Sequence, residues 1–324
     1  MTSSGATLFD RIRNASAEVT RRARDVRIDV ERLEIFAGEL AESPAAYEDL
    51  DPMHQLAEGP ERALAFTIAL DAINFGSGWF PVLKKRAGLS GYRSIALACR
   101  ESVEAGDAWS GAWLREATAE SLARLLGQDL RDAEGMELME LYARAWRELG
   151  DWLAREHADR FESPIERANG SAERLVCALA ALPLYRDVAR YDELEVPFYK
   201  RAQITVADLA RVFGGIGPGH FTDLDALTLF ADNLVPHVLR CHGVLAYSPA
   251  LAAQIEAGEL LAAGSRPEVE IRAVAVEAVE RLVALLADRG RPTTAHALDG
   301  LLWNAGQAES IKARPRHRTR CSFY

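Results

Sequence analysis

The sequence predicts an all-α fold, on three observations: apolar residues recur at three- and four-residue steps in several long segments, strand-like alternation is almost absent, and a glycine cluster separates two helix-patterned stretches. Taken in chain order, residues 16–30 carry apolar or small residues at helical spacing among many arginines. Residues 71–80 and 194–199 are the candidates for short extended pieces. Residues 117–126 and 137–155 repeat the helical pattern, with Leu, Met, Tyr and Trp on one face. Residues 204–213 read as a helix, the glycines from Gly214 to Gly219 as a hairpin, and Thr222 or Asp223 as the cap of a second helix through Leu224, Leu227 and Phe230. The last long element is 268–288, with Ile271, Val274, Ala275, Ala278, Val279, Leu282 and Leu285 in one stripe, closed by stop signals at Gly290 and Pro292.

A helix-hairpin-helix of this kind exposes backbone N–H groups able to hold a phosphate. An ordinary tight turn between two helices has the same glycine pattern. The acids that follow are harder to explain as scaffold: Asp223, Asp225 and Asp232 lie among Leu224, Leu227, Leu229, Phe230, Leu234 and Val235. A carboxylate against an apolar wall must be paired, hydrogen-bonded or functional. Asp232 precedes Pro236 by four residues, near the expected end of the second helix and the start of the next, where it faces a cationic centre or simply caps a helix.

At 324 residues the chain is long enough for one large domain or two intimately packed lobes, here divided approximately as 1–190 and 191–324, with no Pro/Ser/Gly-rich linker between them. Hydrophobic content of 49% and charged content of 27% are ordinary for a globular protein, and the apolar runs are too short or too interrupted by charge to span a bilayer. The first residues lack the basic and apolar regions of a signal peptide, and Cys99, Cys177, Cys241 and Cys321 are too scattered for a zinc site or a disulfide framework, so a reduced, cytoplasmic protein is expected. A net charge of −10 argues against extended nucleic-acid binding. The one concentrated basic segment is 312–320, with Arg314, Arg316, Arg318 and Arg320, which is either a solvated end or a partner for a single phosphate.

Several separate signatures, in order, give the chain a resemblance. They are Leu70-Asp71-Ala72-Ile73-Asn74-Phe75-Gly76-Ser77-Gly78-Trp79-Phe80, Phe198-Tyr199-Lys200-Arg201-Ala202-Gln203, Leu227-Thr228-Leu229-Phe230-Ala231-Asp232, Ile271-Arg272-Ala273, Leu298-Asp299-Gly300-Leu301-Leu302-Trp303 and the segment His317-Arg318-Thr319-Arg320-Cys321-Ser322-Phe323-Tyr324. From about His54 onward the chain resembles the queuosine salvage family, hydrolases that release the nucleobase queuine from queuosine 5'-monophosphate. That family resembles helix-hairpin-helix DNA glycosylases in fold, in agreement with the hairpin read above.

The resemblance implies cleavage of an N-glycosidic bond, giving queuine and ribose 5-phosphate, without a metal or organic cofactor. Such cleavage builds oxocarbenium character on the ribose and calls for a fixed carboxylate beside C1'. Asp232 is the first candidate, because it follows the hairpin where the resembling glycosylases carry their acid, and Asp223 is the second. For the base, the resemblance implies Asp223, Asp299 and Asn304 as readers of the 7-deazaguanine edge and the aminomethyl arm, with His54 supporting and Phe221 and Trp303 as walls or stacking surfaces. Gly300 is small where some relatives place an aromatic, and Asn304 is neutral where an acid can occur. Lys200 and one or more tail arginines would hold the phosphate. Each has a plainer reading: His54 as a loop residue, Trp303 as core, Lys200 as an exposed charge. Two other functions stay open at this point, a non-catalytic module for a modified nucleotide or a tRNA, and a lyase using Lys200 as a Schiff-base nucleophile.

Overall fold

The computed structural model describes residues 5–43, 59–107 and 109–324, so His54 lies outside the described residues. Among these the elements run α1 (Leu8–Arg22), β1 (Val26–Ile28), α2 (Val30–Glu42), α3 (Pro60–Ala72), α4 (Gly91–Glu104), α5 (Gly111–Arg115), α6 (Ala119–Leu125), α7 (Ala133–His157), α8 (Glu162–Ala168) and α9 (Ala172–Ala180). There follow β2 (Val188–Tyr191), β3 (Leu194–Pro197), α10 (Lys200–Val212), α11 (Leu234–Cys241), β4 (Leu245–Tyr247), α12 (Pro249–Glu256), α13 (Arg266–Asp288), α14 (Ala295–Ala305) and α15 (Glu309–Lys312). The fold is predominantly α-helical, with minor short strands. No helix among the described residues is long and apolar enough to cross a membrane.

The chain divides into two compact units, each assembled from separate stretches. One draws on the described residues of 1–48 together with 187–200 and 225–320, the other on those of 49–186 with 201–224 and 321–324.

In the first unit α13 is the central helix, buried on all sides from Glu268 to Val276, with α1, α2, α11 and α14 packed on it. A charged residue in such a position needs partners. Glu270 has them: its carboxylate accepts the N–H groups of Arg24, Asp25 and Val26 and the Tyr191 hydroxyl. This explains one departure from the sequence pattern. The helix expected over 16–30 stops at Arg22, because the N–H groups that would continue it are collected by Glu270, and Val26–Ile28 instead pairs antiparallel with β4, Val26 opposite Tyr247 and Ile28 opposite Leu245. The extended piece expected over 194–199 is present as β3, paired with β2 from Val188 opposite Pro197 to Tyr191 opposite Leu194.

In the second unit the long helix α7 presents Leu138, Met139, Tyr142, Trp146, Leu149 and Leu153 as one buried face, against α3, α5 and α6. Each large side chain buried there contributes ~1.5–3 kcal/mol. The polar tips of the aromatics are satisfied as well: the Tyr142 hydroxyl donates to Phe75 O at 2.7 Å and Trp146 Nε1 to Ala69 O at 2.8 Å. No strand forms over 71–80; α3 runs through Ala72 and the chain then turns. Gly76 is required in that turn, since its φ is 97° and a Cβ there would lie 2.7 Å from Leu138 Cδ1. The Gly76 N–H donates to Tyr324 O at 3.0 Å, so Tyr324 folds back onto the first signature of the sequence.

The glycine hairpin departs further from expectation. Helix α10 ends at Val212 and the turn follows, where a Cβ on Gly219 would stand 2.6 Å from Leu209 O. The second helix of the pattern, however, is reduced to a single 3-10 turn at Leu224–Ala226, and residues 227–232 are not helical. The next helix begins only at Leu234. Thr222 and Asp223 do not cap it either: Thr222 N donates to Gly170 O at 2.8 Å, and the Asp223 carboxylate accepts from Ser171 Oγ, Ala172 N and Glu173 N, capping α9.

Candidate active site

The segment Phe230-Ala231-Asp232 is held by three different helices of the first unit, one for each residue. Phe230 N donates to Asp299 Oδ1 of α14 at 3.1 Å. Ala231 O accepts Arg272 Nε of α13 at 3.0 Å. Asp232 Oδ1 accepts the N–H groups of Leu234 and Val235 at 2.8 and 3.1 Å, at the start of α11. These bonds occupy the groups a helix would use, and they are the physical reason the expected second helix does not form. Leu227, Leu229, Phe230 and Ala231 are buried, while Asp232 is half-buried.

The two oxygens of Asp232 therefore differ. Oδ1 is fixed by backbone donors at a helix N-terminus, where the dipole also favours a negative charge. Oδ2 carries no hydrogen bond among the described residues. A carboxylate with one anchored and one unused oxygen is suited to meet a developing cation without reorganising.

Arg272 joins this segment to Lys200. Its Nη1 and Nη2 grip Asp187 at 2.9 and 2.6 Å, its guanidinium lies 4.0 Å from the Phe198 ring centroid, and Glu268 stands 3.7 Å away on the same helix. Asp187 Oδ2 in turn accepts Lys200 N at 3.1 Å, at the first turn of α10, and Asp187 O accepts Phe198 N and Tyr199 N. Tyr199, immediately before the lysine, has φ 49°, the left-handed region that non-glycine residues avoid at a cost of about 1–2 kcal/mol. Strain of that kind persists where the surrounding bonds fix the backbone, and here both sides of Tyr199 are tied to Asp187. The Lys200 side chain is buried, at odds with the reading of an exposed charge.

Asp299 is buried on α14, and Gly300, Trp303 and Asn304 follow on the same helix, half-buried. Trp303 lies four residues after Asp299 and Asn304 four after Gly300, so the group shares one broad face. The tail of the unit passes close to Asp232: Asn233 Nδ2 donates to His317 O at 3.4 Å, and the charges of Arg316 and Asp232 act on one another. Burial, with the neighbouring charges of Arg316, His237, Arg272 and Arg240, brings the His317 imidazole down to about 3.

Phe221 and Asp223 belong to the second unit, Phe221 buried and Asp223 capping α9. Burial pushes the Asp223 carboxyl up, but the N–H groups of Glu173 and Ala172 and the Ser171 hydroxyl outweigh it, so its pKa lies below the ordinary value. A cavity of about 320 Å³ in the first unit, lined by His237, Arg240, Cys241, Glu256, Arg314 and Pro315, includes none of the residues singled out for catalysis or base recognition. Among the described residues no group of three or more His, Cys, Asp or Glu side chains is arranged to hold a metal ion.

Neither Asp187 nor Arg272 has a role among the expectations drawn from the sequence. The signal for Arg272 was available: it stands three residues before Ala275 and seven before Val279, a charge on the apolar stripe of α13. Asp187 had no comparable signal, since its charged partner Arg272 lies 85 positions along the chain.

The family model described as Queuosine salvage protein matches residues 53–324. A queuosine 5'-phosphate N-glycosylase/hydrolase of Sphaerobacter thermophilus is 40% identical over 273 residues, covering 82% of this chain and 83% of the relative. Proteins of the same description from Mus musculus and Dictyostelium discoideum are each 31% identical, covering 96% and 86% of this chain and 98% and 83% of theirs.

Proposed function

This chain belongs to the queuosine salvage protein family, and from that premise we propose that it hydrolyses the N-glycosidic bond of queuosine 5'-monophosphate to release queuine. In the reaction the bond between C1' and the base nitrogen breaks, its electron pair stays on the base, which takes up a proton, and the hydroxyl of a water ends on C1', giving ribose 5-phosphate. The barrier lies in the positive charge that builds on the ribose. Asp232 is the residue that answers it, through the oxygen that α11 leaves unused. That asymmetry is the observation that carries the assignment, because the Asp223 carboxylate is occupied by three donors at the start of α9.

The remaining roles follow from chemistry and position. Asp299 offers an acceptor to the base, with Asn304 and Gly300 beside it and Trp303 as a wall; Phe221 and His54 are assigned to the base by family resemblance alone. Lys200 and one or more of the tail arginines Arg316, Arg318 and Arg320 are assigned to the phosphate. We read the fold as helix-hairpin-helix DNA-glycosylase-like, a reading supported by the order α10, glycine turn, carboxylate and α11, with the second hairpin helix shortened to one 3-10 turn.

Incubation of the purified chain with queuosine 5'-monophosphate tests the proposal. The expected outcome is catalytic formation of queuine and ribose 5-phosphate, with no borohydride-trapped adduct on Lys200. Stoichiometric binding without turnover would instead favour a binding module, and a trapped adduct a lyase.

A further inference from the structure

The basic tail is not uniform. Arg314 Nη1 donates to Cys241 O at 3.2 Å, Arg318 Nη2 donates to Gly258 O at 2.6 Å, and Arg320 is also engaged. Among the described residues Arg316 has neither a hydrogen bond nor an ion pair, although its side chain is half-buried. Its position is nonetheless fixed from both sides. Arg240 Nη1 holds Pro315 O at 3.3 Å, Asn233 Nδ2 holds His317 O at 3.4 Å, and Leu261 N holds Arg318 O at 2.9 Å. Asn233 directly follows Asp232, so the bond to His317 brings the tail alongside the carboxylate assigned above to the ribose.

A guanidinium withdrawn from water without a bonded anion is unfavourable, and a cation with its backbone already fixed is ready to take one. Burial lowers the Arg316 pKa, and the nearby Asp232 charge opposes that effect. The fork of N–H groups on arginine matches the oxygens of a phosphate and binds two of them at once.

We propose that Arg316 is the tail arginine that takes the 5'-phosphate of the substrate, from a fixed position beside Asp232; this rests on the reading of Asp232 as the reacting carboxylate. Its place gives the phosphate a second effect. Without that anion the guanidinium opposes the positive charge developing on the ribose, and with it the opposition is cancelled, so phosphate recognition acts on the rate as well as on binding. Arg316 therefore selects a nucleoside monophosphate over the nucleoside.

The test compares wild type, Arg316→Met and, as a control outside the site, Arg314→Met on queuosine 5'-monophosphate and queuosine, with ribose 5-phosphate as an inhibitor. Arg316→Met is expected to lower the monophosphate-to-nucleoside ratio of kcat/KM by about thirtyfold or more and to weaken inhibition by ribose 5-phosphate by at least about tenfold. Arg314→Met keeps both values. Should Arg316→Met fail to fold, Arg316→Lys, which retains the charge without the fork, gives an intermediate fall in the ratio. An unchanged ratio in either folded variant, or equal losses on both substrates with ribose 5-phosphate inhibition intact, overturns the proposal. Failure of the underlying reading is distinguishable, because it appears as undiminished turnover in Asp232→Asn.

Discussion

Arg272 and Asp187 form a buried two-point ion pair, with N–O distances of 2.9 and 2.6 Å, and each partner spends its next bond on a different part of the site. Arg272 Nε holds Ala231 O beside Asp232, and Asp187 holds the N–H of Lys200. The pair is thus a strut between the carboxylate and the lysine assigned to the two ends of the ribose phosphate. Arg272→Met leaves Asp187 charged and unpaired in the interior, and is expected to destabilise the chain by about 3–5 kcal/mol; the double variant Arg272→Met with Asp187→Leu recovers part of that loss. Denaturant unfolding of the two variants checks this. Equal stability losses in both would show that the cost does not come from an isolated charge.

Asp299 combines a structural bond with an assigned role in reading the base, and two substitutions separate them. Asp299→Ala removes the acceptor of Phe230 N and costs about 1–3 kcal/mol of stability. Asp299→Asn keeps an oxygen for that bond while losing the charge. The expected result is near-native melting for Asn, with queuine binding by calorimetry weakened by about 1.5–3 kcal/mol. Unchanged queuine affinity would assign Asp299 to the scaffold alone.

Asp223 is expected to behave as a helix cap. Asp223→Ala should cost about 1–2 kcal/mol in thermal or denaturant unfolding while turnover under folded conditions stays within about tenfold of wild type. A thousandfold loss of turnover with stability unchanged would return Asp223 to the catalytic role.

The buried His317 gives stability a pH dependence of defined sign. Its pKa falls from the ordinary 6.5 to about 3, so the unfolded chain binds a proton that the folded chain refuses throughout that window. Its contribution is present above about pH 6.5, is lost progressively as pH falls, and levels off below about pH 3. His237 and His242, also lowered chiefly by burial, act in the same direction. Unfolding free energies measured from pH 7.5 to 4.5 should decline, and His317→Gln should flatten the slope; an identical slope in the variant would place the proton uptake elsewhere.

The long helices were legible in the sequence because periodic apolar faces dominate their energetics. The stripe on α13 and the Leu, Met, Tyr and Trp face of α7 needed no tertiary information. Where the pattern misled, side chains from distant elements had taken the backbone's hydrogen bonds. Glu270 ends the α1 pattern at Arg22, and Asp299 and Arg272 hold 230–231 out of a helix although Leu227 and Phe230 are spaced for one. The candidate site was legible in its residue types, through the signatures carrying Lys200, Asp232 and Asp299. Its internal wiring was not, since Asp187 and Arg272 are 85 positions apart and meet only after folding.

Asp232 is held by α11 through one oxygen, and the proposed role of the other is to meet the charge on the ribose. Single-turnover cleavage of queuosine 5'-monophosphate by Asp232→Asn, alongside its melting curve and its affinity for queuine, tests that most directly. Asparagine retains an oxygen for the N–H groups of Leu234 and Val235, so folding and queuine binding should persist while cleavage slows on the order of a thousandfold or more. A well-folded Asp232→Asn that cleaves at close to the wild-type rate would contradict that role.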